Sequence, residues 1–301
     1  MTKIQTDMDQ LLRSMIKDHD LPDSFPDTAA HCYQPVAEWV HQELLQKSDT
    51  TSVFGINGGQ GTGKTTLADF VRRYLTAFHN HAVVSISMDD FYLTRDERAH
   101  LARNIHALLL TRGPPGTHDI RLALATVNKL KTLAPGESTR IPCFDKATDD
   151  RAPRDCWPTV TGPVDLVILE GWCVGCEPAD AASLLRPINE LEANEDSDGT
   201  WRKYVNDSLA TYQPLFAHIN VLLMLQAPNF DCIYRWRCEQ EEKLAVSAPN
   251  QQNRVMSESE LLRFVQLFER ITRASAAEIA AKARLIIELA DDHQVRSLSI
   301  K

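Results

Sequence analysis

The run Gly58-Gly59-Gln60-Gly61-Thr62-Gly63-Lys64-Thr65-Thr66 places four glycines ahead of a lysine and two hydroxyls. Apolar Val53-Phe54-Gly55-Ile56 leads into it and Leu67-Ala68-Asp69-Phe70-Val71 leads out, so it reads as strand, glycine turn and helix start. Glycines let the backbone fold inward until consecutive amides face phosphate oxygens, and the helix adds the positive end of its dipole. In such a cradle Lys64 reaches the outer phosphates and Thr65 holds magnesium. Four carboxylates, Asp89, Asp90, Asp145 and Glu170, follow short apolar runs elsewhere in the chain. Phosphoryl transfer needs magnesium across the outer phosphates, a group that takes the proton of the attacking hydroxyl, and cations for the moving charge. The carboxylates can supply the first two roles, with Asp89 expected as general base, Asp90 as the weaker candidate and Glu170 near the magnesium water shell or a substrate hydroxyl. An acid pair after a strand can also serve as a helix cap or as solvated charge.

These groups must be brought together by strands. Ala82 to Met88, Val164 to Leu169 and Asn220 to Leu225 are short apolar runs expected as buried strands, and Arg140 to Phe144 as another short one. Helical patterns over 96–110 and 119–132 flank Arg112-Gly113-Pro114-Pro115-Gly116-Thr117-His118-Asp119, whose breakers force a loop and whose Asp119 can cap the next helix. Strands alternating with helices predict an α/β fold with a mainly parallel sheet covered on both faces, and in such sheets ligands sit beyond the carboxyl ends of the strands. Met8, Leu11, Leu12, Met15 and Ile16, then Val36, Trp39, Val40 and Leu44, predict a helical extension over 1–50 ahead of a domain spanning 51–301. Glu192 to Gly199 and Ser247 to Asn253 read as loose, Ser257-Glu258-Ser259-Glu260 as a capping box, and 284–300 as a closing hairpin around Asp291-Asp292-His293.

Arg235 and Arg237 lie in a polar helical stretch beginning at Asn229, suited to a lid near 229–256 that closes over phosphates. The alternative is a helix surface where they pair with Glu239, Glu241 and Glu242. His118 can donate a hydrogen bond to a substrate or be structural. With a net charge of −9, a general nucleic-acid surface is disfavoured, because phosphate-backbone binding needs a positive face. No apolar run approaches a membrane span and the start has no secretion signal, so a cytoplasmic location is expected. Seven cysteines without regular spacing fit a reducing compartment, and the lone Cys173-Val174-Gly175-Cys176 cannot complete a four-ligand zinc site.

Gly58 to Thr66, Ser87-Met88-Asp89-Asp90-Phe91-Tyr92-Leu93-Thr94, Arg112 to Asp119, Pro142-Cys143-Phe144-Asp145-Lys146, Leu169-Glu170-Gly171-Trp172 and Tyr234-Arg235-Trp236-Arg237 occur in that order. Together they resemble the P-loop kinases of the uridine kinase, phosphoribulokinase and pantothenate kinase superfamily, and within it plant-type D-glycerate 3-kinase. The resemblance implies a three-layer P-loop kinase fold, ATP as co-substrate, Mg2+ at Thr65 and Glu170, and Asp89 as the base. A small hydroxy acid is the implied acceptor, with Asp90, Tyr92, Arg112, His118, Asp145, Lys146 and Arg151 about it. Its carboxylate would want cationic donors, for which Arg112, Lys146 and Arg151 are available. One departure falls in this region: Ala147-Thr148-Asp149-Asp150-Arg151-Ala152-Pro153 stands where the plant branch usually has Gly-Arg-Gly-Asp-Arg. A nucleoside, pantothenate-like or sugar phosphate acceptor, or a nucleotide-dependent switch without an acceptor, are the competing readings.

Overall fold

The computed structural model describes residues 3–46, 50–247 and 256–301. Apolar side chains alternate to both faces of the central strands, which forces helices onto both sides. In chain order the helices are α1 (Lys3–His19), α2 (Phe25–Thr28), a π-helix (Ala29–Tyr33), α3 (Gln34–Leu45), α4 (Lys64–His79), α5 (Arg95–Asn104), α6 (Ile120–Lys131), α7 (Glu190–Glu195), α8 (Thr200–Phe216), α9 (Phe230–Ser247) and α10 (Glu258–Lys282). The strands are β1 (Ser52–Gly58), β2 (Val83–Ser87), β3 (Ser138–Arg140), β4 (Phe144–Asp145), β5 (Asp150–Arg151), β6 (Thr159–Thr161), β7 (Leu166–Gly171), β8 (Val221–Gln226), β9 (Leu285–Leu289) and β10 (Val295–Ile300).

Six strands form one sheet in the order β10-β9-β8-β1-β7-β2. Every pairing in it is parallel except the closing β9–β10 hairpin. The register sets Ile56 beside Glu170 and Ser87 beside Glu170, so the ends of β1, β7 and β2 lie on one rim. Val53, Val167 and Leu169 enter a core with α6, α8 and α10, while Phe54, Ile56 and Ile168 enter the opposite core with α1, α3 and α4. The α/β architecture is therefore the one that alternating strands and helices predict.

The helices before β1 grip α4 along its length. His19 and Arg73 both bond Asp69, at 2.9 and 2.7 Å, and Arg73 also holds Asp18 at 2.8 Å. Further along, Glu38 takes a 2.5 Å bond from Tyr74 and sits 3.1 Å from His79. His41 stacks on His79 with ring centroids 3.7 Å apart and lies 2.9 Å from His81.

Three local expectations change. The single strand over Arg140–Phe144 is two short pieces in separate hairpins, β3 with β6 and β4 with β5. Pro142, with no amide proton, stands between them. The helix pattern over 96–110 breaks at Ile105, and Ala107–Leu110 is a separate 3-10 turn capped by the His106 ring. Glu192–Gly199 is not loose: Asn189 caps α7, and the buried acids Glu192 and Asp196 pair with Arg270 and Arg202. Desolvated acids are tolerated there because each meets a guanidinium. Of the other stretch expected to be loose, Ser247 ends α9 and 248–253 lies outside the described residues.

Candidate active site

The phosphate loop leaves β1 at Gly58 and re-enters regular structure at Lys64, the first residue of α4. Gly61 and Gly63 have φ of +78° and +86°, a region that penalises any residue with a Cβ. Space adds to the demand at Gly59, where a Cβ would lie 2.5 Å from Ile233 Cδ1, and at Gly61, 3.0 Å from Trp236 Cβ. Thus α9 lies directly against the loop. Thr62 ties the turn by donating to Gly59 O at 2.9 Å. Lys64 Nζ donates to the same carbonyl, also at 2.9 Å. Burial pulls its pKa down, opposed by the nearby carboxylates of Glu170 and Asp89. Gln60 sits mid-turn and Thr66 in the first turn of α4.

Thr65 Oγ1 donates to Glu170 Oε1 at 2.9 Å, joining the start of α4 to the end of β7. Two hard oxygen donors beside a phosphate loop suit magnesium, which keeps water and takes phosphate oxygens alongside one or two protein ligands. Among the described residues there is no group of three or more His, Cys, Asp or Glu that could cage a metal. The residues present therefore fit a magnesium ion shared with phosphates.

Beyond β2, Ser87 caps the 3-10 turn Met88–Phe91: Asp89 N bonds Ser87 Oγ and Ser87 N bonds Asp90 Oδ2. This reciprocal cap explains the division of labour between the paired acids. Asp90 is spent on backbone amides, and burial pushes its pKa up to about 6 with the Asp89 and Glu170 charges adding to the rise. Asp89 instead accepts from Tyr92 OH at 2.6 Å and from Lys146 Nζ at 2.7 Å. Burial favours its neutral form, but Lys146, Tyr92 and Lys64 outweigh that and hold its pKa below the usual value.

Lys146 comes from the turn between β4 and β5, which Asp145 stabilises by accepting from Ala147 N and Thr148 Oγ1, each at 2.9 Å. His118 is 5% exposed, with its ring 4.6 Å from that of Tyr92 and Nδ1 2.8 Å from Tyr212 OH. Burial pushes its pKa down to about 4, so the ring is neutral. Its other ring nitrogen, Nε2, is a buried atom with no hydrogen-bond partner among the described residues.

The predicted cations divide. Lys146 is on Asp89, whereas Arg112 pairs with Asp149 and lies over the Phe144 ring, and Arg151 holds Asp119 at 3.2 Å and Tyr92 O at 3.1 Å. Arg235 donates to Cys232 Sγ at 3.2 Å and lies 3.6 Å from Asp291. Arg237 pairs with Glu241 at 2.6 Å, one of the acids named in the helix-surface alternative. Between them Trp236 is fully buried, stacked on His293 at 4.1 Å and donating to Asp291 O.

Two contributors escape sequence reasoning. Arg98 is 1% exposed and donates to the carbonyls of Leu93, Leu110 and Asp149, locking α5 to the β4–β5 turn. Tyr212 also accepts from Gly116 N at 2.9 Å and so anchors the loop that carries His118. Its helix was detectable, since Trp201, Val205, Leu209, Tyr212 and Phe216 recur at helical spacing. Cys173 and Cys176 are buried and unpaired, their thiol pKa values raised by burial.

Over 221 residues the chain is 36% identical to a Schizosaccharomyces pombe protein named uncharacterized kinase mug58, a match spanning 71% of this chain and 76% of the relative. Chloroplastic D-glycerate 3-kinase of Arabidopsis thaliana is 32% identical over 260 residues, 79% of this chain and 52% of the plant protein. The chain belongs to a family of P-loop kinases. It spans about half the length of that plant relative. A solved D-glycerate 3-kinase from Cryptococcus neoformans shares the kinase-family fold with a TM-score of 0.73 at 22% identity, covering 89% of this chain and 99% of its own. No protein-family model matches. Like its kinase relatives, the chain is an ATP-dependent small-molecule kinase. No helix among the described residues is long and apolar enough to cross a membrane.

Proposed function

We propose that this kinase moves the terminal phosphoryl group of ATP to a hydroxyl of D-glycerate, giving 3-phosphoglycerate. The observation that carries the reading is Asp89, held between Tyr92 and Lys146 on the rim where Lys64 and Thr65 also stand. Its low pKa keeps it ionised at neutral pH, so it can accept the proton of the attacking hydroxyl as the new oxygen–phosphorus bond forms. Lys64 exchanges its bond to Gly59 O for the outer phosphates, and its charge offsets the negative charge on the transferring group. Thr65 and Glu170 would hold a magnesium ion, whose charge would help neutralise the phosphates.

On the acceptor side, the neutral His118 ring presents Nε2, without a partner among the described residues, to a polar group of the acceptor, and Lys146 is a cation within reach of a carboxylate. Asp90, Tyr92, Asp145 and Arg151 shape the same wall, with Arg112 behind it. We assign Arg235 and Arg237 to a lid on α9, whose Ile233 and Trp236 already touch the loop. The Arabidopsis relative's name, D-glycerate 3-kinase, supports the acceptor. Seven unpaired thiols fit a reducing compartment, so a cytoplasmic location belongs to the proposal.

An ADP-release assay with magnesium and ATP tests the reading, comparing D-glycerate with uridine, pantothenate and a sugar phosphate. Turnover with D-glycerate well above the acceptor-free rate is expected. Equal rates with and without D-glycerate, alongside turnover of another acceptor, would remove the substrate and keep the kinase.

A further inference from the structure

The helices ahead of β1 carry an aromatic side chain to the edge of the phosphate loop. Tyr33 is the last residue of the π-helix Ala29–Tyr33, which interrupts the path from α2 to α3. Such π-turns are rare, cost regular hydrogen bonding and cluster at functional sites. The Tyr33 ring is fixed edge-on against Phe25 and Phe70, at 5.7 and 5.6 Å between centroids. Its hydroxyl points the other way, toward Gly63: a Cβ on that glycine would lie 3.5 Å from Tyr33 OH. Gly63 is the N-cap of α4, where the loop amides and the helix dipole favour an anion.

The side chain is only 7% exposed, yet its hydroxyl makes no hydrogen bond to any described residue. Burial raises its pKa well above the ordinary value, so it stays a neutral donor. The hydroxyl is not one of the fully buried polar atoms without a partner, so it is the part of the side chain that reaches the surface beside the loop. From its place beside Gly63 we infer that this hydroxyl faces the nucleotide: Tyr33 donates to the sugar–phosphate edge of a nucleoside phosphate seated in the loop. The inference rests on the nucleotide-binding reading of Gly58–Thr66 and adds a wall that the loop motif does not contain. The clamps on α4 at Asp69 and Glu38 keep this wall in register with the loop.

The test is a titration with a fluorescent ADP analogue, which needs no acceptor and so does not depend on D-glycerate. Tyr33→Phe keeps the ring against Phe25 and Phe70 and removes only the hydroxyl. The expected result is a Kd about tenfold higher, as for the loss of one hydrogen bond to a charged or polar ligand group. KM for ATP should rise in step, with kcat and the acceptor KM within about twofold of wild type, a split that a merely structural residue does not produce. Unchanged affinity in Tyr33→Phe overturns the inference while leaving the kinase reading intact. Failure of the wild type to bind the analogue overturns the nucleotide reading itself. Should Tyr33→Phe fold poorly, amide exchange of the wild type decides: ADP must slow exchange over 29–34, and no change there sinks the contact.

Discussion

The phosphate loop draws its ligand groups from nine consecutive residues and makes them mostly of backbone. The proposed acceptor side, by contrast, gathers Asp89, Tyr92, His118, Lys146 and Tyr212 from separate stretches and makes its groups of side chains. In the first region, what matters about the four glycines is the Cβ they lack, as the close approach of α9 to Gly59 and Gly61 shows. In the second, each group is defined by its partner: Asp89 and Asp90 are neighbours of one chemical type, yet one is held below and the other above the usual carboxylate pKa. The backbone cradle is therefore constrained by what packs against it, whereas the side-chain groups are tuned by their partners.

That contrast can be broken most severely at Lys64, whose side chain supplies the loop's cation. Lys64→Ala should lower kcat by about 10³-fold or more, since a cation on the transferring phosphoryl is lost from a water-poor site. Steady-state ADP release measures it, and a loss below about tenfold would show that the backbone alone suffices. Next comes Asp89→Asn, expected to cut kcat by about 10²–10⁴-fold while nucleotide affinity stays within about twofold. Equal loss of nucleotide affinity in both variants would erase the division between the two halves.

Lys146→Ala should have a smaller effect, roughly tenfold to a hundredfold on kcat/KM for the acceptor, with a diagnostic pH signature. Burial pushes the Asp89 pKa up and Lys146 is the strongest group pulling it down. Without Lys146 the pKa rises, so the acidic limb of the pH–rate profile should move to higher pH. A limb that stays in place would mean Asp89 is not the titrating base.

The smallest effect is on stability. Asp90 has a folded pKa of about 6 against an ordinary 3.8, so the folded state holds its proton more tightly. The stability this contributes is present below the ordinary value and is lost as pH rises through about 6. Asp90→Asn, which keeps an acceptor for the cap and does not titrate, should gain on wild type in melting temperature between about pH 4 and pH 7. A constant difference across that range would deny the raised pKa.

The sequence alone determined those features that depend on neighbours along the chain. The glycine loop, the helix that follows it, the Asp119 and Ser257 caps and the parallel strands are set by backbone permissiveness, capping chemistry and apolar runs, all readable over a few residues. The paired Asp89-Asp90 was legible as acids after a strand, but not which of them would be consumed by the Ser87 cap. Only the tertiary structure decided that Arg112 belongs to Asp149 and Arg237 to Glu241, that buried Arg98 locks α5 to the β4–β5 turn, and that Tyr212 fixes the His118 ring. It also decided that Glu192 and Asp196 order a segment whose composition reads as solvated. The physical reason is the same in each case: a charge or a hydroxyl takes its role from the partner that long-range packing brings within about 3 Å, and that partner is not written beside it in the chain.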